Sequence, residues 1–233
     1  MSSTYQSHLI KKVQLTYDTY AFYFERPKEY SFLPGQFLRL VLNIPKFFSI
    51  ASSPTEKDHL MIVSRIRESE FKKTLLNLTA QNAITLGGPF GNFIYKPEEH
   101  IQHVFLAGGI GITPFLSMIH YAIDNKINIP ITLFTSFSTT ENVIFENELL
   151  EIAQKNTWFK LVQTITRPDE SQKPWPGHKG RISSVLIFRH LEYLPASLFY
   201  ISGPPVMVDD LGKIVKSMGV DDSMIRMEKF TGY

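Results

Sequence analysis

Between Val104 and Pro114 the chain reads Val104-Phe-Leu-Ala-Gly-Gly-Ile-Gly-Ile-Thr-Pro114, an apolar run ending in three glycines and a Thr-Pro pair. Few folds accommodate such a run. Val104 to Ala107 fits a strand buried on both faces, as in a parallel sheet covered by helices. Glycine is costly in an ordered chain unless another backbone or a ligand must come close, which is the expected use of Gly108, Gly109 and Gly111. Thr113 suits the cap of a following helix and Pro114 its first position. The expected product is a strand, a turn without side chains, and a helix whose open N–H groups face an anion such as a dinucleotide pyrophosphate. The plainer alternative is a purely structural turn. The spacing is not Gly-x-Gly-x-x-Gly, because Pro114 stands where a third glycine would follow Gly109 and Gly111, so an ordinary Rossmann dehydrogenase is a poor match.

The two halves of the chain have different rhythms. From His8 to about Lys96 short strand-like runs follow one another: Leu9–Tyr17, Ala21–Glu25, Gln36–Leu42, Phe47–Ala51 and Leu60–Ile66. Pro34-Gly35, Pro45, Ser53-Pro54 and Gly87-Gly88-Pro89 read as turns between them, and Ser69 caps one short helix containing Phe71, Leu75 and Leu78. Short strands with one helix predict an antiparallel β-barrel. From about Gln102 strands and helices alternate. Expected strands are Val104–Ala107, Ile131–Ser136, Phe159–Thr164, Phe199–Ser202 and Ile225–Phe230. Expected helices are Pro114–Asp124, Asn142–Gln154, Ser184–Leu191 and Pro205–Met218. That alternation predicts a parallel sheet with ligands at the C-terminal strand ends. With Lys96-Pro97-Glu98-Glu99 as linker, the reading is two domains, a β-barrel over 1–98 and an α/β nucleotide-binding domain over 99–233.

Composition narrows the function. A net charge of +2 over 233 residues, with no dense basic cluster, gives no reason to expect nucleic acid. Cysteine is absent, so these residues can form no disulfide, thiolate nucleophile or cysteine-ligated iron–sulfur cluster. The polar N-terminus lacks a signal-peptide core, and the uncharged stretch Val104–Ile123 is interrupted by glycines and Pro114, so no membrane span is expected and the expected setting is the cytoplasm. His100-x-x-His103 invites a metal reading, but no matching carboxylate or cysteine set accompanies it and no metal is expected.

Several motifs in order carry a resemblance. Lys46-Phe47-Phe48-Ser49 resembles the flavin motif Arg-x-Tyr-Ser/Thr of the ferredoxin–NADP reductase superfamily, and Gly88-Pro89-Phe90-Gly91-Asn92-Phe93 resembles its Gly-Pro-x-Gly-x-Phe. The glycine segment, Gly203-Pro204-Pro205-Val206-Met207 and Glu228-Lys229-Phe230 resemble its nucleotide loops and its C-terminal Glu-x-Phe. The resemblance spans essentially the whole chain. It implies FAD in the first half and NAD(P)H as co-substrate in the second, with nicotinamide C4 meeting flavin N5 in a cleft between them. Two departures matter. Lys46 replaces the arginine that pairs with the flavin pyrophosphate, so a looser grip is expected from a group without a planar fork. Phe48 replaces the tyrosine and keeps the stacking ring without the hydroxyl. Ser202 stands where many relatives carry cysteine.

What the resemblance implies for individual residues is set beside plainer readings. Lys46, Phe47, Phe48, Ser49, Val63, Arg65, Ser69 and Phe230 would hold FAD, with Ser49 near flavin N5 as a catalytic hydroxyl. Arg67 is a second candidate cation beside Arg65. The alternatives are an edge strand, a simple cap and solvated arginines. Gly108, Gly109, Gly111, Ile112, Thr113, Pro114, Ser136, Ser138, Gly203, Pro204 and Met207 would hold NAD(P). Glu228 would polarise or relay a proton, or is a surface carboxylate. Phe230 or Tyr233 would cover the flavin, or Phe230 is core. After the second strand of this half, Thr135-Ser136-Phe137-Ser138 holds no arginine for a 2′-phosphate, which favours NADH, although Arg167, Lys173, Lys179 and Arg181 lie in a neighbouring loop. The expected activity is an NAD(P)H-dependent flavoprotein reductase passing electrons to a ferredoxin, a flavodoxin or an oxygenase component. A reductase that releases free reduced flavin and a non-catalytic redox sensor are the alternatives.

Overall fold

The computed structural model describes residues 3–99, 102–191, 194 and 197–231. Two of the residues singled out above, His100 and Tyr233, lie outside them. The chain forms two compact units, one of residues 1–95 and 113–126, the other of residues 96–112 and 127–233.

The first unit holds β1 (Thr4–Gln14), β2 (Thr19–Glu25), β3 (Phe37–Val41), β4 (Pro45–Ser49), β5 (His59–Arg65), α1 (Glu70–Asn77) and β6 (Ala83–Phe90). The strands make an antiparallel sheet in the order β4-β3-β6-β1-β2-β5. Just past β4 the chain reaches β5, where Ala51 N–H donates to the Met61 carbonyl at 2.7 Å and Met61 N–H to Ser52 Oγ at 3.0 Å. These bonds join the two outer strands and give the expected barrel. Its interior is aromatic and aliphatic: Phe22, Phe24, Tyr30, Leu38, Leu60 and Ile62 are buried. Into it α1 lowers Phe71 and Leu75, one turn apart on one face, beneath the Ser69 cap that accepts from Lys72 N–H.

β6 departs from expectation. Gly87-Gly88-Pro89 reads as a turn in sequence, yet the strand runs through it, paired to β1 on one side and β3 on the other. Gly87 belongs there because the Arg39 guanidinium lies across it, 3.0 Å from where a Cβ would stand. Gly88 and Pro89 fall where the β3–β6 register slips, and a bulge is where a strand tolerates proline.

The helix α2 (Thr113–Asp124) packs within the first unit. Ser117 Oγ donates to the Ser52 carbonyl at 2.7 Å, and Thr55 Oγ1 donates to Asp124. Thr113 is the first residue of this helix rather than its cap, because Gly109–Ile112 already winds as a 3-10 turn.

The second unit is the expected parallel sheet, ordered β10-β9-β8-β7-β11-β12 from β7 (Gln102–Gly108), β8 (Ile131–Phe137), β9 (Phe159–Ile165), β10 (His178–Lys179), β11 (Ser197–Gly203) and β12 (Ile225–Lys229). Its helices are α3 (Glu146–Lys155), α4 (Ser184–His190) and α5 (Pro205–Ser217). On one face Leu106, Phe134, Val162 and Ile201 pack with Ile187 of α4 and Val208, Leu211 and Val215 of α5. The expected start of α3 at Asn142 moves to Glu146, since 140–142 forms a separate 3-10 turn and Phe145 takes a left-handed φ of +60°. Two-residue β10 gave no periodic signal. No helix among the described residues is long and apolar enough to cross a membrane.

Phe71 is only 2% exposed, so Phe71→Ala is expected to cost about 3–5 kcal/mol of stability, read from the urea midpoint of the first unit.

Candidate functional site

In the first unit β4 sorts its residues by strand alternation. Phe47 turns outward, 60% exposed, its ring edge-on to Phe37 at 5.6 Å and to Phe90 at 6.0 Å. Lys46 and Phe48 point to the other face. Phe48 stacks on Phe71 with ring centroids 5.9 Å apart. Ser49 is buried at the strand end, in register with Phe37.

Above Phe48 lies a group of cations. Lys72 sits in the first turn of α1, its Nζ donating to buried Ser64 Oγ at 2.8 Å and standing 5.9 Å from the Phe48 ring centroid. Burial, then the neighbouring charges of Arg67 and Lys46, push its ammonium down to about 8. Lys46, Arg67 and Lys72 make no ion pair among the described residues. A helix N-terminus adds partial positive charge to theirs, so the arrangement favours an anion. Ser69, as cap, occupies the entrance. Arg65 is turned elsewhere: Asp18 accepts from its Nε, and its NH2 donates to the Tyr17 hydroxyl at 3.1 Å. Val63 is buried in register with Ala21, on the face of β5 opposite Ser64.

Lys72 was not among the residues singled out in sequence, although a signal existed. A capping box carries Glu or Gln at the third helical position after a Ser cap. Here Ser69 is followed at that place by lysine, the wrong sign for a helix N-terminus unless an anion is to be held.

In the second unit the glycines meet at the C-terminal ends of β7 and β11. A Cβ on Gly108 would stand 2.1 Å from Met207 Sδ, and one on Gly111 would stand 2.4 Å from the Ser202 carbonyl oxygen. Gly203, at φ +152°, passes against the Gly108 backbone. Gly109 differs: its φ is +54° and nothing lies within 4 Å of its Cβ position. Gly111 and Gly203 therefore serve close packing of main chain, Gly108 makes room for the Met207 side chain, and Gly109 leaves backbone open to a ligand. Pro204 caps α5, and Ile112, Thr113 and Pro114 carry the chain from the 3-10 turn into α2.

Across the same strand ends runs a row in register: Gln163 of β9, Thr135 of β8, Ala107 of β7, Ser202 of β11 and Glu228 of β12. Thr135 and Ser202 are fully buried, and their hydroxyls have no hydrogen-bond partner among the described residues. Phe230 follows β12, its N–H donating to the Gly203 carbonyl at 2.9 Å.

Ser136, next to last in β8, is in register with Gly108, and the loop after the strand is tied to its neighbour. Arg167 N–H donates to the Ser138 carbonyl at 2.8 Å, and Gln172 N–H to Glu141 Oε1 at 2.8 Å. Glu141, chiefly through the Thr140 hydroxyl, is held at about 2 and stays ionised. The Arg167 guanidinium is paired with Glu170 at 2.8 Å. His103 is buried against Phe105 and Tyr200.

Residues 105–213 match the family of oxidoreductase NAD-binding domains. The glycine betaine monooxygenase reductase subunit of Chromohalobacter salexigens is 30% identical over 95% of this chain and 62% of its own length. NADH-cytochrome b5 reductase 1 of Mortierella alpina is 26% identical over 91% of this chain and 74% of its own. The reductase component of propane 2-monooxygenase from Rhodococcus jostii is 26% identical over 88% of this chain and 57% of its own. The chain thus spans less than two thirds of both monooxygenase reductases, 62% of the first and 57% of the second. Among solved structures, a ferredoxin NADP+ reductase from Neisseria gonorrhoeae with bound FAD and NADP superposes with a TM-score of 0.84, at 23% identity, over 98% of this chain and 99% of its own. The ferredoxin reductase of carbazole 1,9a-dioxygenase gives 0.86, also at 23% identity, over 99% and 70%.

Two glycine variants separate packing from ligand access. Gly109→Ala is expected to fold at a cost of about 1–2 kcal/mol for its left-handed φ, and to weaken NAD+ binding. Gly111→Ala is expected to lose more stability, because its new methyl meets main chain. Thermal unfolding and NAD+ titration of the two proteins check this.

Proposed function

We propose that the chain is a flavoprotein reductase of the ferredoxin reductase-type FAD/NAD-binding oxidoreductases, a reading supported by its likeness to the reductases above. It takes hydride from NAD(P)H onto FAD and passes electrons to a separate carrier. The observation that supports this best is the glycine-lined C-terminal edge of the parallel sheet, where Gly111 and Gly203 pack against main chain, Gly108 admits Met207 and Gly109 stays open. Such an edge admits a dinucleotide pyrophosphate to backbone N–H groups. The cation group at the start of α1, with no ion pair to Lys46, Arg67 or Lys72 among the described residues, fits the diphosphate of a second dinucleotide.

When bound, FAD supplies the ability to accept two electrons together and release them singly. The chain's own residues bind and orient. Lys46 and the helix N-terminus at Ser69 would hold phosphate, and Phe47 and Phe48 would offer rings to the flavin. Ser49 would supply a hydroxyl near its reacting nitrogen. Glu228, beside Ser202 in register, polarises the reacting end or moves a proton. Val63 and Arg65 contribute main chain, since the Arg65 guanidinium is engaged by Asp18 and Tyr17. Gly108, Gly109, Gly111, Ile112, Thr113, Pro114, Ser136, Ser138, Gly203, Pro204 and Met207 hold the nicotinamide nucleotide. These 233 residues contain no cysteine, so an iron–sulfur acceptor of the thiolate kind lies outside them. The acceptor is a ferredoxin, a flavodoxin or an oxygenase component, and the two relatives named as monooxygenase reductases favour the last.

NADH is the preferred donor. The loop after β8 presents ionised Glu141, and Arg167, the cation bonded nearest to Ser138, is already paired with Glu170. A 2′-phosphate would meet the negative charge of Glu141 there, and Arg167 is not free to offset it. Glu170→Gln is accordingly expected to raise affinity for NADP+ over NAD+ by roughly two- to fivefold, the range for an exposed pair. An unchanged ratio in equilibrium titration contradicts that role for Glu170.

The test of the function as a whole is an anaerobic titration of FAD-loaded protein with NADH and with NADPH, followed at the flavin absorption band. Rapid bleaching, faster with NADH, is expected. A flavin that stays oxidised with both donors overturns the proposal.

A further inference from the structure

We propose that Lys72 is a phosphate-binding residue for the FAD diphosphate, sharing with Lys46 the contact that a single arginine makes in the resembled flavin motif. The inference rests on the flavoprotein reading above and adds a residue to it.

Several independent features converge on Lys72. It occupies the third position of α1, where the helix dipole repels a cation. It is half-buried, a costly place for an ammonium without a counter-ion. Its nearest charged neighbours, Lys46 from β4 and Arg67 from the segment before α1, have its own sign. Of the carboxylates in this region, Glu70 pairs with Lys73 at 3.3 Å, Asp18 holds Arg65, and exposed Glu68, next to Arg67 in sequence, makes no ion pair with Lys72 among the described residues. The protein nonetheless fixes the ammonium in place, with Ser64 Oγ accepting one hydrogen at 2.8 Å and the Phe48 ring beneath it. An ammonium has three donors, and this bond uses one. A cation anchored by neutral groups, among like charges, at a helix N-terminus is stabilised further when an anion completes the group.

The geometry also accounts for the departure at position 46. A guanidinium delivers two parallel donors from one plane, and an ammonium cannot. Two ammonium groups approaching from adjacent elements, Lys46 on β4 and Lys72 on α1, supply two points of contact on a doubly charged diphosphate. Arg67 adds long-range attraction from an exposed position.

The test measures equilibrium binding of FAD and of riboflavin, which has the ring and ribityl chain but no phosphate, to the full chain. The proteins are wild type, Lys72→Met and Lys72→Arg. Lys72→Met is expected to weaken FAD by about tenfold or more while leaving riboflavin unchanged. Lys72→Arg is expected to restore most of the FAD affinity. Because the wild-type ammonium titrates near 8, its FAD affinity should fall from pH 7 to pH 9.5 more steeply than that of Lys72→Arg. The sign follows from the charged form being the binding form: a bound anion stabilises the ammonium and raises its lowered value, so above that value the amine must take up a proton to bind. Equal FAD affinity in wild type and Lys72→Met overturns the inference while the flavoprotein reading stands. Parallel loss of FAD and riboflavin assigns Lys72 to packing and also overturns it. Failure of the wild type to bind FAD at all removes the reading on which it rests.

Discussion

The interaction on which the structure turns is one that the first unit leaves incomplete. Lys46, Arg67 and Lys72 gather at the N-terminus of α1 without an ion pair among the described residues, and the most buried of them is held by a serine hydroxyl and an aromatic ring. Like charges placed together cost stability, and a folded chain retains them where a ligand supplies the missing sign. The barrel provides the rigidity for this. Phe71 and Leu75 anchor α1 in the core, so its first turn cannot relax away from β4 and β5.

The second unit withholds side chains where the first withholds counter-charge. Gly108, Gly111 and Gly203 let the ends of β7 and β11 approach to distances that a methyl would forbid, and Gly109 is left facing open space. The same strand ends carry the buried hydroxyls of Thr135 and Ser202 on either side of Ala107, with Glu228 next in line. Flavin and nicotinamide chemistry asks little of a protein beyond positioning and polarity, and a row of polar groups at a parallel sheet's C-terminal edge is suited to both.

Much of the fold was legible in the chain itself. Alternating and continuous apolar runs located β2, β3, β5 and the strands from β7 to β12 other than β10, since periodicity reports burial and burial is what those strands share. The glycine segment marked the nucleotide half because no other residue permits that approach. What escaped notice was set by tertiary partners. β6 was hidden because Gly87 and Pro89 look like a turn until Arg39 lies across the first and a bulge absorbs the second. β1 begins at Thr4, in polar sequence, because β6 pairs with it there. Lys72 was hidden for a related reason: its burial depends on β5 and Phe48 closing over it, and Arg65 looked equally suitable until Asp18 engaged it.

The account stands most directly on whether a diphosphate-bearing flavin completes the first unit. Calorimetric unfolding of the cofactor-free chain in rising concentrations of FAD tests this. A ligand at a hundredfold excess over its dissociation constant adds about 2.7 kcal/mol to the state that binds it. The midpoint is expected to climb with FAD, and the gain to shrink at high salt as charge attraction is screened. A midpoint indifferent to FAD would mean that the cation group of α1 holds no such ligand, and the account would fail.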